Sequence, residues 1–178
     1  MTTDTKAPTF RYQTSRLTLR GLEEADEALF CRLFCDADTM RFVGDRLTPK
    51  QACRLFNELL ASAHGRPASQ WFLVVVETSS QKAIGLCAIS QFDEAMTRAE
   101  AGIMLESEAR SRGYAREGLG GLVEATFASF PVREIGVTCS SLNPVVERMV
   151  SSIGFSLCDE HATGTGPLSL KKWTIRRD

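Results

Sequence analysis

Apolar residues recur at helical spacing in four stretches of the chain, and each stretch predicts an amphipathic helix. Residues three and four positions apart lie on one face of a helix, so this spacing gives one buried face and one exposed face. Thr48, Pro49 and Gln51 are typical of a helix start, and Gly154 is typical of a helix end. The four predicted helices cover residues 22–34, 49–63, 115–130 and 144–153.

Shorter apolar runs, some alternating with polar residues, predict strands between these helices. Runs 71–76 and 83–90 are joined by a short polar turn and predict a hairpin. Strand 99–105, helix 115–130 and strand 134–139 predict a parallel crossover. Because hairpins occur beside this crossover, we expect an α/β (α+β) fold with a mixed sheet and helices on both faces. The remaining strands are predicted at 17–20, 155–158 and 171–175.

Length and charge narrow the classes of protein that fit this pattern. The chain has 178 residues, which suits a single domain over 1–178, with 1–10 as a loose polar tail. With 21 basic and 22 acidic residues, the net charge of −1 argues against a general binder of nucleic acids or membrane surfaces. The sequence shows neither a bilayer-spanning run nor a signal-peptide core, so we expect a cytoplasmic protein.

Six cysteines and two histidines do not form a metal-binding pattern. The cysteines lack a Cys-x-x-Cys pair, and neither His64 nor His161 neighbours a cysteine at ligand spacing. We therefore expect reduced thiols and no metal site, in agreement with a cytoplasmic location.

The segment Arg110-Ser111-Arg112-Gly113-Tyr114-Ala115 carries the most informative pattern. Gly113 is able to take a positive φ, so that successive N–H groups point into one concavity at the start of the following helix. Such a loop suits a phosphate or diphosphate, with Arg110 and Arg112 adding charge at its rim. An ordinary glycine turn explains these six residues equally well, but the preceding strand and the following helix favour an anion-binding unit. The segment is not a P-loop, because the Gly-Lys-Ser/Thr ending is absent, and not a dinucleotide fingerprint, because Gly-x-Gly-x-x-Gly is absent.

With these motifs, the chain resembles the GNAT acyl-CoA-dependent N-acetyltransferases. Their signature loop, Gln/Arg-x-x-Gly-x-Gly/Ala, matches residues 110–115 at every fixed position. Residues 14–20 and 36–44 resemble the ribosomal-protein N-terminal acetyltransferase branch (RimJ/RimL type). Asn143, followed by a helix ending at Ile153-Gly154-Phe155, resembles the last common motif of the family. The resemblance implies a largely antiparallel mixed sheet of six or seven strands, splayed where acetyl-CoA binds.

The resemblance also implies which residues bind acetyl-CoA. The loop would hold the diphosphate, and backbone groups near Met104 and Leu105 would bind the pantetheine arm and the acyl carbonyl. A β-bulge in strand 99–105 would free an N–H group for that purpose. The predicted cosubstrate-binding residues are Met104, Leu105, Arg110, Ser111, Arg112, Gly113, Tyr114, Ala115 and Asn143.

Glu100 is the candidate catalytic base. It is a carboxylate in an otherwise apolar strand, on the same face as Gly102 and Met104 if the strand is regular. Partial burial raises the pKa of a carboxyl group and allows it to accept a proton, directly or through water. The alternative is a strand-end glutamate that pairs with Arg98 or faces water.

Two features depart from the family pattern. Val146 occupies a position where the family often has serine, and the only tyrosines are Tyr12 and Tyr114, so we assign no general acid. Water would serve, since a thiol with a pKa near ~8.5 is already a fair leaving group. The helix after the loop also contains Gly118, Gly120 and Gly121, which either permit a close approach or only weaken the helix.

The leading hypothesis is therefore an acetyl-CoA-dependent N-acetyltransferase acting on a primary amine. The acceptor would be a protein N-terminus or a small-molecule amine, selected by segments 36–48, 91–98 and 159–168, and the protein would be a monomer or a homodimer. The alternative is a non-catalytic acyl-CoA-binding regulatory module. A scaffold that has lost its ligand agrees poorly with the intact Arg110, Gly113 and Ala115 pattern.

Overall fold

The computed structural model describes residues 11–62, 70–162 and 169–177, with residues 160–162 as backbone alone. These residues contain eight strands and five α-helices. They are β1 (Arg11–Gln13), β2 (Leu17–Gly21), α1 (Glu27–Cys35), α2 (Ala37–Met40), α3 (Pro49–Ser62), β3 (Trp71–Glu77), β4 (Ala83–Ser90), β5 (Arg98–Leu105), α4 (Tyr114–Ser129), β6 (Glu134–Ser140), α5 (Pro144–Ile153), β7 (Ser156–Ala162) and β8 (Leu170–Arg176).

All eight strands form one sheet in the order β1-β2-β3-β4-β5-β6-β8-β7. The pair β5–β6 is parallel and the other neighbours are antiparallel, so the predicted crossover and the predicted class of fold are confirmed. The expected number of six or seven strands was too low because β1 was missed. Its three residues contain one apolar side chain, and pairing with β2 rather than burial makes them a strand.

Helices cover both faces of the sheet, as predicted. α4 and α5 pack on one face, over a core that includes Leu17, Val75 and Leu105. α1 and α3 pack on the other face, over Val74, Val76 and Leu86. Neighbouring residues of β3 enter opposite cores because side chains alternate across a strand.

The first helix begins later than its apolar spacing predicts. Leu22 is buried but lies outside α1, and a 3-10 turn at Glu24–Asp26 comes between them. The reason is Asp26, whose carboxylate receives two hydrogen bonds from Arg20, at 2.7 and 2.9 Å, and one from the Glu23 N–H at 2.8 Å. These bonds hold the chain in a turn before the helix can begin.

The three glycines of α4 have different roles. A Cβ on Gly118 would lie 2.8 Å from Ile103 Cδ1, and a Cβ on Gly121 would lie 2.6 Å from Thr14 Cγ2. These two glycines therefore let the helix approach the sheet closely. A Cβ on Gly120 would meet nothing within 4 Å, so this glycine only reduces helix stability.

Several predictions fall outside the described residues, namely the tail 1–10, the end of the second helix at Gly65 and Pro67, and the loop 164–167. Gly154 ends α5 with a φ of 110°, as predicted. Within the described ranges, no helix has the length and apolar character needed to cross a bilayer.

Candidate active site

β5 and β6 pair over a short distance and then separate. Their register includes Arg98–Glu134, Ala99–Ile135 and Glu100–Gly136, and the described residues show no pairing between the two strands beyond this point. β5 nevertheless continues beside β4 as far as Leu105, and β6 continues beside β8 as far as Ser140. A V-shaped opening therefore lies between the carboxyl ends of two parallel strands, where α/β sheets commonly bind ligands.

The expected bulge in β5 is absent. Its register with β4 is regular from Glu100 to Leu105, and the irregularity lies in the pairing of β4 with β3, where Ile84 is the extra residue opposite Val75 and Val76. The Glu106 N–H donates to the Ile84 carbonyl at 2.9 Å, and hydrogen-bonded pairs alternate along an antiparallel ladder.

This alternation shows which backbone groups of β5 are directed toward the V-shaped opening. The backbone groups of Met104 point toward β4, whereas those of Ile103 and Leu105 point to the side that β6 has left. Divergence of the strands, rather than a bulge, thus frees backbone groups near Leu105.

The loop that links β5 to α4 has two residues in the left-handed region. Ser111 has a φ of 59° and Gly113 a φ of 79°, so the positive φ expected at Gly113 is present. Gly113 is the N-cap of α4 and provides no capping side chain. The N–H groups of Tyr114, Ala115 and Arg116 donate to no backbone acceptor among the described residues. These groups are therefore available to an anion.

The two arginines of the loop both bind other parts of the protein. Arg110 donates from Nε to the Leu105 carbonyl at 3.1 Å and from Nη2 to Thr39 Oγ1 at 2.6 Å, on the wall of a cavity of about 610 Å³. Arg112 pairs with Glu77 at 3.2 Å. Their guanidinium groups therefore shape the loop in this structure while still contributing positive charge to it.

Both tyrosines donate their hydroxyl to a carboxylate. Tyr114 is buried and donates to Glu77, which raises the pKa of Tyr114. Tyr12 donates to Glu124 at 2.7 Å, and this bond raises the pKa of Tyr12. Both hydroxyls are therefore already engaged with carboxylates in the described structure, and we assign neither as a general acid.

Glu100 lies at the point where β5 and β6 diverge. Its side chain is 17 % exposed and crosses β6 at Gly136, where a Cβ would lie 2.3 Å from the carboxylate. Oε1 pairs with Lys172 of β8 at 2.7 Å, and Oε2 accepts from Thr138 Oγ1 at 3.3 Å.

The alternative interpretation of Glu100 assumed that it pairs with Arg98 or faces water. In the structure its charged partner is Lys172. The hydrogen bond from Lys172 to Glu100 raises the pKa of Lys172, so the lysine is held as a cation. Glu100 would therefore have to exchange this partner before it takes up a proton.

Asn143 caps α5, as predicted from its position before Pro144. Its Oδ1 accepts from the Val146 N–H at 3.4 Å. Val146 itself is partly buried against the core and offers no hydroxyl. The carboxyl ends of β5 and β6 thus both lead into a helix N-terminus, at α4 and α5.

Sequence reasoning missed four residues that shape this region. Arg16, which precedes β2, and Glu117 of α4 pair beside residues 110–115, which we call the anion loop. Glu77 holds Arg112 and Tyr114, and Lys172 holds Glu100. Each lies at least 35 positions from one of its partners, beyond the range of any local pattern. Lys172 gives no local signal either, because β8 also contains Lys171 and Arg176.

No group of three or more histidine, cysteine, aspartate or glutamate side chains suited to a metal ion occurs among the described residues.

A mixed sheet with two diverging parallel strands, followed by an open helix N-terminus, is the architecture implied by the resemblance to acyl-CoA-dependent acyltransferases. The acetyltransferase (GNAT) domain family matches residues 16–156, so the chain belongs to this family and is an acetyltransferase.

A curated relative and two solved structures agree with this assignment. The chain is 26 % identical over 149 residues to an uncharacterized N-acetyltransferase, p20, from Bacillus licheniformis, covering 80 % of each chain. Spermidine N-acetyltransferase from Vibrio cholerae, solved with CoA and spermine, has a TM-score of 0.77 and 20 % identity over 92 % of this chain and 96 % of that one. RimL, a ribosomal L7/L12 α-N-protein acetyltransferase solved with CoA, has a TM-score of 0.79 and 11 % identity over 94 % and 98 %. At these identities, the solved structures support the fold alone.

Proposed function

We propose that the protein transfers an acetyl group from acetyl-CoA to a primary amine by direct attack of the amine on the thioester. The observation that carries this proposal is the separation of β5 from β6 after Glu100, which leaves backbone groups of β5 without a strand partner. The two similar structures named above contain CoA, in agreement with acetyl-CoA as cosubstrate.

In this proposal, the cosubstrate is bound mainly by backbone groups. The N–H groups at the start of α4 would receive the diphosphate, with the positive end of the helix adding to the attraction. The backbone groups of Ile103 and the N–H of Leu105 would bind the pantetheine arm and polarise the acyl carbonyl, whereas the Leu105 carbonyl already accepts from Arg110. Asn143 would contribute to the wall of the opening at the start of α5.

Glu100 would receive the proton that the acceptor ammonium must lose before it attacks. In the transfer, the amine nitrogen forms a bond to the acyl carbon, the C–S bond breaks, and the second proton that the nitrogen loses passes through water to the leaving CoA thiolate. Because Lys172 holds Glu100, the acceptor ammonium would have to compete with Lys172 for the carboxylate. We assign no protein group to the leaving thiol, because Val146 offers no hydroxyl.

Two classes of acceptor agree with the resemblance. One is a protein N-terminus, as in the ribosomal-protein (RimJ/RimL-type) branch, and the other is a small-molecule amine. Residues 163–168, within one candidate acceptor segment, lie outside the described part of the chain. A monomer or homodimer in the cytoplasm stays our prediction.

The first test is the melting temperature with and without acetyl-CoA, for the wild type and for Gly113→Trp. A ligand at 100 times its dissociation constant adds roughly 2.7 kcal/mol of stability. We expect a clear rise for the wild type. For the variant we expect none, because an indole side chain fills the loop and the positive φ of Gly113 disfavours any L side chain. Gly120→Ala is the matched control, since a Cβ there meets nothing within 4 Å.

The second test is product formation over a panel of primary amines and N-terminal peptides. Acetylation is followed by product mass, because free thiols such as the exposed Cys158 would react with thiol-detecting dyes. Acetyl-CoA binding without any acetylated product would instead support the alternative of a non-catalytic acyl-CoA-binding module. No stabilisation of the folded wild type by acetyl-CoA would contradict the proposed function.

A further inference from the structure

Arg16 lies against the anion loop although it is far from it in sequence. Its Nη1 donates to the Arg112 carbonyl at 3.1 Å, and its Cζ lies 4.5 Å from the centre of the Tyr114 ring. Its Nη2 lies 3.4 Å from the position that a Cβ on Gly113 would occupy. One guanidinium group thus contacts Arg112 and Tyr114 and lies beside Gly113, which stands between them.

Glu117 holds this guanidinium in place. It accepts from Arg16 Nε and from the Arg16 N–H, both at 2.7 Å, and from Thr14 Oγ1 at 2.6 Å. Burial alone would raise the pKa of Glu117, but these hydrogen bonds outweigh burial, and the pKa is lowered. The carboxylate therefore stays charged and orients Arg16 before any ligand arrives.

The bond to the Arg112 carbonyl fixes the direction of the next N–H group. The peptide between Arg112 and Gly113 is trans, so its C=O and N–H groups point in opposite directions. A carbonyl directed at Arg16 therefore directs the Gly113 N–H away from Arg16. Gly113 allows this orientation because its φ of 79° carries little penalty for glycine.

We propose that Arg16 is a positioning residue that holds the Arg112–Gly113 peptide in the orientation that receives the diphosphate of acetyl-CoA. This inference rests on the proposed function, because it concerns the same loop and the same cosubstrate. Arg16 acts through the backbone of the loop and not as a ligand of the phosphate. An arginine is required because a single group must donate to both Glu117 and the Arg112 carbonyl.

The test compares CoA binding by the wild type, Arg16→Met and Arg16→Lys, measured by calorimetry. We expect Arg16→Met to raise the dissociation constant for CoA about tenfold, the equivalent of about 1.4 kcal/mol. Arg16→Lys should show a similar loss, because an ammonium keeps the charge but not the forked contacts. Arg54→Met, which removes an exposed ion pair on α3, is the control and should bind CoA as the wild type does.

A second probe, dephospho-CoA, separates positioning from direct contact with the 3′-phosphate. Positioning of the loop predicts the same loss with CoA and with dephospho-CoA, since both retain the diphosphate. A loss that disappears with dephospho-CoA, or full affinity in Arg16→Lys, would overturn the proposal in favour of a charge contact.

The melting temperature of each unliganded variant separates positioning from a structural cross-link. A cross-link alone predicts a lower melting temperature with an unchanged dissociation constant for the folded protein, and this outcome would also refute the proposal. If Arg16→Met does not fold, Arg16→Lys carries the test alone. Failure of the wild type to bind CoA would instead contradict the proposed function, so the two failures are distinguishable.

Discussion

The two ends of β5 are built in different ways. At its carboxyl end, the predicted anion loop consists of six consecutive residues and offers mainly backbone N–H groups. At its amino end, the candidate base Glu100 meets Gly136, Thr138 and Lys172, which come from β6 and β8. The first end is thus built around a local backbone motif that Arg16, Glu77 and Glu117 hold in place, whereas the second consists only of side chains brought together from three strands.

This difference explains why a family is recognisable while its acceptor is not. A backbone-binding loop requires glycine and a helix start at fixed spacing, and such a requirement is visible in one sequence. A carboxylate that crosses a neighbouring strand requires only that the neighbour have a glycine opposite it, and Gly136 gives no such indication in the sequence. We call the amino end of β5, where we propose that the acceptor binds, the acceptor end. Its residues can therefore vary without any change in the sequence pattern of the anion loop.

The largest effect is expected at the acceptor end, from Glu100→Gln. If Glu100 accepts the proton of the acceptor, this substitution should lower kcat by about 100-fold or more, in line with general base catalysis. The dissociation constant for acetyl-CoA should stay unchanged, because the anion loop is untouched. Turnover measured by product mass, together with calorimetry, checks both expectations.

Lys172→Met is the matched control for this substitution. It removes the same ion pair but leaves the carboxylate, so a base at Glu100 predicts that kcat falls far less than in Glu100→Gln. Equal losses in the two variants would show that the pair is only a cross-link between β5 and β8. Unchanged turnover in Glu100→Gln would remove Glu100 from the mechanism.

The sequence predicted the elements of this fold better than their contacts. Hairpin, crossover, N-caps and the Gly113 turn all followed from local spacing, and the structure contains each of them. The prediction of a bulge in β5 was wrong, because divergence from β6 frees the backbone groups of β5. Such divergence depends on two strands, so the sequence of one strand does not indicate it. Lys172 was missed for the same reason, since 72 positions separate it from Glu100.

An effect of intermediate size is expected from Gly85→Ala. It tests whether acetyl-CoA binding at the carboxyl end of β5 depends on the distance between β4 and β5. A Cβ on Gly85 would lie 2.3 Å from the Met104 carbonyl oxygen and 3.0 Å from Leu105 Cα. Since both contacts are backbone atoms, β4 and β5 would have to separate. We expect a loss of about 1–3 kcal/mol in the free energy of unfolding, measured by urea denaturation, together with weaker binding of acetyl-CoA.

Gly120→Ala is the opposite case within α4. With nothing within 4 Å of its Cβ, the substitution should stabilise the protein by about 0.4–1 kcal/mol and leave acetyl-CoA binding unchanged. If Gly85→Ala also left acetyl-CoA binding unchanged, the position of the β5 backbone would not determine the affinity for acetyl-CoA. The proposal that backbone groups bind the cosubstrate at this end of β5 would then be contradicted.

The smallest effect is expected from Asp93→Asn, at the connector that leads into the acceptor end of β5. Asp93 Oδ1 accepts from the Arg98 N–H at 2.9 Å and the Thr97 N–H at 2.6 Å, and Oδ2 accepts from Thr97 Oγ1 at 2.8 Å. These bonds, that of the Arg98 backbone first, lower the pKa of Asp93 to about 2.

The sign of the pH dependence follows from this lowered pKa. The folded state favours the ionised carboxylate more than the unfolded state does, so Asp93 stabilises the protein above about pH 4, the ordinary range for aspartate. This contribution is lost as the pH falls from about 4 to about 2.

Asp93→Asn should therefore have a lower melting temperature than the wild type at pH 7, and the difference should shrink at pH 3. Glu94→Gln, at the exposed neighbouring position, is the control and should show no such pH-dependent difference. A difference for Asp93→Asn that stayed constant with pH would mean that hydrogen-bond geometry rather than charge holds the connector. The connector before β5 would then be held by backbone conformation, as the anion loop is. In this respect the two ends of β5 would no longer differ.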